Sequence, residues 1–131
     1  INFVINARTD SFWLNNSTNK NEQMKDTINR ANAYVKAGAD CIFIPGVLET
    51  KDIKKLVQDI NAPINIITVP NGPSIDELES LGVARVSTGS GPVRASFALL
   101  KNIANELKEN GTYDNIYKTT IAYDKINYLF K

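Results

Sequence analysis

The chain has 131 residues, 43% of them hydrophobic, which is enough for one domain with a real core. Fifteen basic and fourteen acidic residues leave a net charge of +1; with no basic run, this argues against nucleic acid as a partner, and no apolar segment has the length of a membrane span or reads as a signal peptide. Histidine is absent, which removes His-based triads, His metal sites and His acid–base chemistry. The one cysteine, Cys41, cannot form an internal disulfide and fits a reducing, cytoplasmic compartment. It lies inside an apolar run, where a buried inert thiol is expected rather than a nucleophile. Ile1 already sits in a strand-like run and the only methionine is Met24, so the sequence reads as a piece of a longer chain.

In chain order, Ile1 to Asp10 (INFVINARTD) predicts a buried parallel strand, with Phe3, Val4, Ile5 and Ala7 apolar and Arg8, Thr9 and Asp10 closing it. Period-2 alternation places Val4, Asn6 and Arg8 on one face and Phe3, Ile5 and Ala7 on the other. Polar groups beside Val4 would be costly in an apolar core and fit the mouth of a barrel. A guanidinium at the carboxyl end of a parallel strand suits a ligand crevice. A local ion pair with a carboxylate is the plain alternative for Arg8.

Ser11 to Gln23 is polar and Asn-rich, interrupted by Phe12, Trp13 and Leu14. It reads as a loop at the site end that can act as a lid, with Trp13 anchoring it to the rim or covering a ligand. Met24, Ile28, Ala31 and Val35 then predict a helix over 21–37, ended by Gly38. A second strand spans Cys41 to Ile44 and breaks at Pro45-Gly46. Thr50 is read as the N-cap of a helix over 51–60, with Ile53, Leu56, Val57 and Ile60 as its stripe. The third strand is Ile64 to Val69, carrying Asn65. Ser74 and Glu77 form a capping box that starts a short helix to Leu81. Val83 to Ser87 is the fourth strand. Thr88-Gly89-Ser90-Gly91 opens a helix from Pro92 to Asn110, closed by Gly111, and 121–130 has a last helical face.

Strand and helix alternate four times, which implies a parallel sheet with right-handed crossovers. Four βα units in about half the usual length make the α/β fold half of a (β/α)₈ TIM barrel, one domain over 1–131 plus an extra C-terminal helix. An open four-stranded sheet would leave both edges exposed without blunting charges.

The ordered set Phe3-Val4-Ile5-Asn6-Ala7-Arg8-Thr9-Asp10, Arg30-Ala31-x-Ala33-Tyr34-x-x-Ala37-Gly38-Ala39-Asp40, Phe43-Ile44-Pro45-Gly46, Pro63-Ile64-Asn65 and Leu81-Gly82-Val83-Ala84-Arg85-Val86-Ser87 resembles the carboxyl-terminal half of the isocitrate lyase/phosphoenolpyruvate mutase superfamily. Within it the set is most similar to the phosphonomutase and methylisocitrate-lyase-like group. The resemblance implies a TIM barrel that binds Mg²⁺ and small oxo-acids or carboxylates and makes or breaks C–C or C–P bonds through enolate-like intermediates. It matches Arg8 to the family's fifth-strand arginine, which would hold a carboxylate or phosphonate. Pro45 stands where lyases and mutases of the family carry Glu or His, and a proline cannot do that acid–base work. The Mg²⁺-binding aspartates and the catalytic loop belong to the other half of the family's barrel, so no metal ligand is assigned to this chain. The resemblance also implies homo-oligomers whose carboxyl-terminal helices exchange between subunits.

Beside Arg8, the candidate substrate-binding residues are Asn65, at a strand position able to face the barrel interior, and Ser87, at the carboxyl end of its strand. A satisfied core amide is the plain reading of Asn65. Gly89, Ser90 and Gly91, leading into a helix N-terminus, are a weaker candidate for anion binding. Arg85 is expected to point outward to a helix carboxylate, and Arg94 to brace its loop. Two function classes follow. In one the chain is part of a Mg²⁺-dependent lyase or phosphonomutase-like enzyme, inactive as this half alone. In the other it is a non-catalytic half barrel that self-associates by pairing with a second copy and binds an anionic ligand.

Overall fold

A computed structural model describes residues 3–14, 19–118 and 120–130. Stretch 15–18 of the expected lid loop lies outside the described residues. The chain divides into two compact units, Ile1–Gly89 and Ser90–Lys131.

Among the described residues the first unit holds four strands alternating with three helices. These are β1 (Asn6–Arg8), α1 (Lys20–Lys36), β2 (Cys41–Phe43), α2 (Thr50–Asp59), β3 (Ile64–Ile67), α3 (Ile75–Ser80) and β4 (Arg85–Ser87). The strands form one parallel sheet in the order β1-β2-β3-β4, and the helix opened by Gly91 supplies the fourth βα step. This is the carboxyl-terminal half of a (β/α)₈ barrel, as the alternation predicts. The register runs Arg8↔Phe43, Phe43↔Asn65 and Asn65↔Arg85, so these four residues stand side by side on one face.

The opposite face makes the core. Ile42, Ile44, Ile64 and Ile66 are buried there together with Met24 and Ala31 of α1, Ile53 and Leu56 of α2, Ile60 just beyond it, and Leu78 of α3. The apolar stripes expected for the first two helices are the ones that pack. At the far end of α1, Asn32 holds the end of α2: its Nδ2 donates to the Asp59 carbonyl at 3.0 Å and its Oδ1 accepts from the Asn61 amide at 3.2 Å.

Several expectations are corrected. The first strand is three residues long and, among the described residues, lies at a sheet edge paired with β2 alone. Phe3, Val4 and Ile5 are therefore exposed rather than buried. Asp40 ties down their backbone, its Oδ2 accepting from the Ile5 amide at 2.8 Å. Glu49, not Thr50, is the N-cap of α2, and no side chain caps its amides. The Ser74–Glu77 capping box is present as expected, with Ser74 Oγ accepting from the Glu77 amide at 3.2 Å and Glu77 Oε2 from the Ser74 amide at 2.7 Å.

The second unit comprises α4 (Gly91–Asn110), α5 (Asp114–Tyr117) and α6 (Tyr123–Tyr128). Gly111 ends α4 in the left-handed conformation. Glu106 then receives the returning chain: its carboxylate accepts from Thr112 Oγ1 at 2.7 Å and from the Asp114 and Asn115 amides at 2.8 Å each. These bonds, the Thr112 hydroxyl first, hold its carboxyl below the ordinary range. The sequence reading did not place α5. Val93, Phe97, Leu100 and Leu107 leave an apolar stripe exposed along α4.

Candidate functional site

The site face of the sheet is the one that does not meet the core. Arg8, at the carboxyl end of β1, sits in register with Phe43, and Phe43 with Asn65. Ser87 lies two residues beyond Arg85 on β4 and so shares the face. The structure therefore brings Arg8, Asn65 and Ser87 onto one surface, with about 10 Å between the β1 and β3 backbones from two strand spacings.

Arg8 is held on three sides. Its Nε donates to Asp10 Oδ1 at 2.5 Å, the local ion pair that sequence alone left open. Its guanidinium carbon lies 5.6 Å from the centre of the Phe43 ring and 5.9 Å from that of Trp13. Both distances are within cation–π range. Among the described residues, the two terminal nitrogens make no hydrogen bond or ion pair. Asp10 takes the Nε edge and leaves the fork free to meet two oxygens of one anion.

Asn65 is buried, and its Oδ1 accepts from Ser87 Oγ at 2.9 Å. That bond commits the Ser87 proton to the protein and turns the Asn65 amide nitrogen, a donor, away from Ser87. The bond satisfies the Asn65 carbonyl oxygen as expected of a core amide. Arg85 is corrected: it stands in register with Asn65 on the site face, and among the described residues it forms no ion pair with a helix carboxylate. It acts on Cys41, whose thiol is pushed up by burial while the Arg85 charge opposes the shift. Gly89 ends the first unit with φ +56°, whereas Ser90 and Gly91 open the second as N-cap and first residue of α4. Ser90 caps no amide with its side chain, and its carbonyl accepts from the Arg94 amide at 2.9 Å.

The loop after β1 is fixed to its surroundings. Ser11 Oγ donates to Asp26 Oδ2 at 2.6 Å, and Gln23 Nε2 donates to the Ser11 carbonyl at 2.8 Å. Arg30 Nε meets the same Asp26 oxygen at 2.9 Å. The Ser11 hydroxyl, with Arg30, holds the Asp26 carboxyl below its ordinary value. Phe12 packs on the core and anchors the loop, while Trp13 stays 55% exposed; the rim anchor expected of Trp13 is its neighbour. A Cβ on Gly46, which has φ +88°, would lie 2.9 Å from the Trp13 backbone nitrogen and Cα. The Pro45-Gly46 turn, with Pro45 buried, is therefore where the loops after β1 and β2 touch.

Among the described residues, no group of three or more His, Cys, Asp or Glu side chains is placed to hold a metal ion. No described helix is long and apolar enough to cross a membrane.

A family model described as phosphoenolpyruvate phosphomutase matches residues 1–108. An uncharacterized protein of Mycobacterium tuberculosis is 38% identical over 105 residues, spanning 80% of this chain and 39% of that protein. The 2-methylisocitrate lyase of Escherichia coli is 31% identical over 134 residues, spanning 96% of this chain and 43% of the lyase. Among solved structures, a Burkholderia cenocepacia protein classed by inference as a lyase/mutase superposes with a TM-score of 0.82 at 32% identity, over 98% of this chain and 45% of its own. The chain thus spans less than half the length of these relatives.

Proposed function

The chain belongs to the phosphoenolpyruvate phosphomutase family, and on that premise we propose that it supplies the carboxylate-binding part of a lyase or phosphonomutase-like enzyme acting on small oxo-acids. The observation that carries this reading is Arg8. It sits at the carboxyl end of a barrel strand with its Nε taken by Asp10, on the same face as Asn65 and Ser87. Its free fork receives a carboxylate or phosphonate through two parallel N–H···O bonds. When a C–C or C–P bond beside the carboxylate breaks and an enolate-like intermediate forms, negative charge grows on oxygens that this fixed cation already faces. Asn65, its carbonyl oxygen engaged by Ser87, donates through its amide nitrogen toward the rest of the substrate.

Mg²⁺ is the cofactor that the family resemblance implies. Among the described residues no three His, Cys, Asp or Glu side chains gather to hold it. Pro45 carries no titratable proton, so no general acid or base is assigned at that strand end. A cytoplasmic location belongs to the same proposal, supported by the single buried cysteine.

The test is turnover of oxo-acid substrates by the whole protein. Arg8→Ala is expected to lower kcat/KM about a hundredfold or more, the scale seen when one preorganised donor to a developing oxyanion is removed. Unchanged turnover of every oxo-acid tried would refute the assignment.

A second reading is favoured by a separate observation. β1 and β4 each have one strand partner, and Phe3, Val4 and Ile5 beside β1 are exposed. Here two copies close a ring by pairing half barrels, or exchange their C-terminal helices, as a homo-oligomer that binds an anion without turnover. A strictly monomeric, folded chain at high concentration would eliminate pairing.

A further inference from the structure

Resting on the reading of Arg8 as the carboxylate ligand, we propose that Trp13 is a positioning residue for it: the indole, together with the Phe43 ring, holds the guanidinium in the pose that offers its fork to a small dicarboxylate. Arginine side chains at a surface sample many rotamers, and each must be frozen out when an anion binds. Arg8 is already restrained in three ways. Asp10 fixes its Nε, while Phe43 and Trp13 approach its guanidinium carbon at 5.6 and 5.9 Å. A cation–π contact constrains the guanidinium without occupying a donor, so both terminal nitrogens stay available.

Nothing else explains an exposed tryptophan at this place. Trp13 is 55% exposed and contributes little to the core, which Phe12 serves instead. Its position is nevertheless imposed. The preceding residue but one, Ser11, is held by Asp26 and Gln23, and the Trp13 backbone rests on Gly46 so closely that any side chain there would collide with it. A loop pinned on both sides of Phe12 carries its indole to one spot, and that spot is beside Arg8. Phe43 is placed just as firmly, by its register opposite Arg8 on the neighbouring strand. A ring on a fixed loop and a ring on a strand bracket one cation.

The arrangement predicts a preference. A ligand with two adjacent carboxylates, such as oxalate, can put one on the Arg8 fork while the flat remainder lies along the indole. A compact, tetrahedral inorganic phosphate gains the fork alone.

The experiment reads Arg8 directly. The chain's arginines are Arg8, Arg30, Arg85 and Arg94, so the Arg8 Nε–H resonance in a ¹H–¹⁵N spectrum is assigned by its loss in Arg8→Lys. In Trp13→Ala that resonance is expected to move and to exchange several-fold faster with water, and in Trp13→Phe to return most of the way. Backbone signals of Ile42 and Ile64 serve as the folding control. Oxalate affinity by calorimetry is expected to fall about two- to fivefold in Trp13→Ala, the size of one exposed cation–π contact, and to recover in Trp13→Phe. Because Trp13 is the chain's one tryptophan, its emission in the unmodified chain reports the same binding.

An Arg8 resonance and oxalate affinity unchanged in Trp13→Ala, with Arg8→Lys still weakening oxalate tenfold or more, would overturn the role of Trp13 and leave that of Arg8 standing. Oxalate binding unchanged in Arg8→Lys would overturn the carboxylate reading itself, and the recognition role of Trp13 with it.

Discussion

Gly46→Ala tests whether the two loops at the site end dock as described. Gly46 has φ +88°, and a Cβ there would sit 2.9 Å from the Trp13 nitrogen and Cα and 3.0 Å from the Phe12 carbonyl carbon. A left-handed backbone alone costs a non-glycine residue about 1–2 kcal/mol. The colliding atoms are main chain and cannot swing aside as a side-chain tip would, so the loop must lift off, for about 1–3 kcal/mol more by analogy with overpacked cores. The expected loss is about 2–5 kcal/mol in all, which at a slope of about 2 kcal/mol/M lowers the urea midpoint by about 1–2.5 M. Gly38→Ala is the matched control. Gly38 has φ +107°, but a Cβ there meets nothing within 4 Å, so it carries the backbone cost alone. Urea titrations of both variants, followed by far-ultraviolet circular dichroism, give the comparison. The reasoning fails if Gly46→Ala costs no more than Gly38→Ala, because the excess is the signature of the loop contact.

Three further outcomes are expected. Ser74→Ala removes one half of the capping box on α3 and should cost about 1 kcal/mol in the same titration, with Ser74→Gly costing only a few tenths. The Asp26 carboxyl, held below its ordinary value by the Ser11 hydroxyl and Arg30, adds stability that is present above the unfolded value of 3.8 and is lost as pH falls through the lower folded value. Stability measured from pH 6 downward should therefore fall less steeply in Asp26→Asn than in the unmodified chain. Cys41 is buried, with its thiol pushed up, so a thiol reagent at pH 8 should label it far more slowly in the folded chain than in urea.

The sequence made the order of elements legible because each helix carries its own apolar stripe and its own punctuation. Gly38, the Ser74–Glu77 box and Gly111 act locally, and local signals survive without tertiary information. The short strands were less legible. Phe3, Val4 and Ile5 have the composition of a buried strand, yet burial depends on what lies beyond the sheet edge, which no residue in the run encodes. Arg85 is a different case, because the signal was there. Ser87 is a candidate ligand hydroxyl at the carboxyl end of its strand, and a residue two positions earlier in the same strand shares its face. The same parity that put Arg8 with Asn6 would have turned Arg85 inward. Glu106 and α5 were out of reach, since the carboxylate finds its amide partners only after the turn at Gly111 brings the chain back.

The two faces of the sheet divide the work. Ile42, Ile44, Ile64 and Ile66 bind the helices and leave no room for polar change, whereas on the other face Arg8 and Arg85 stay exposed and Asn65 lies buried between their strands. Stability and the proposed recognition of an anion thus fall to alternate residues of the same strands, and they meet at one place. Pro45 is buried while Gly46 carries the Trp13 backbone, so the turn after β2 serves the core with one residue and the site with the next. Each residue of the Pro45-Gly46 turn thus has a positional reason in this fold. A side chain at Gly46 would push away the loop that presents Trp13 to Arg8. On the proposed reading Arg8 holds the anion, and proton transfer falls to groups other than those on the turn.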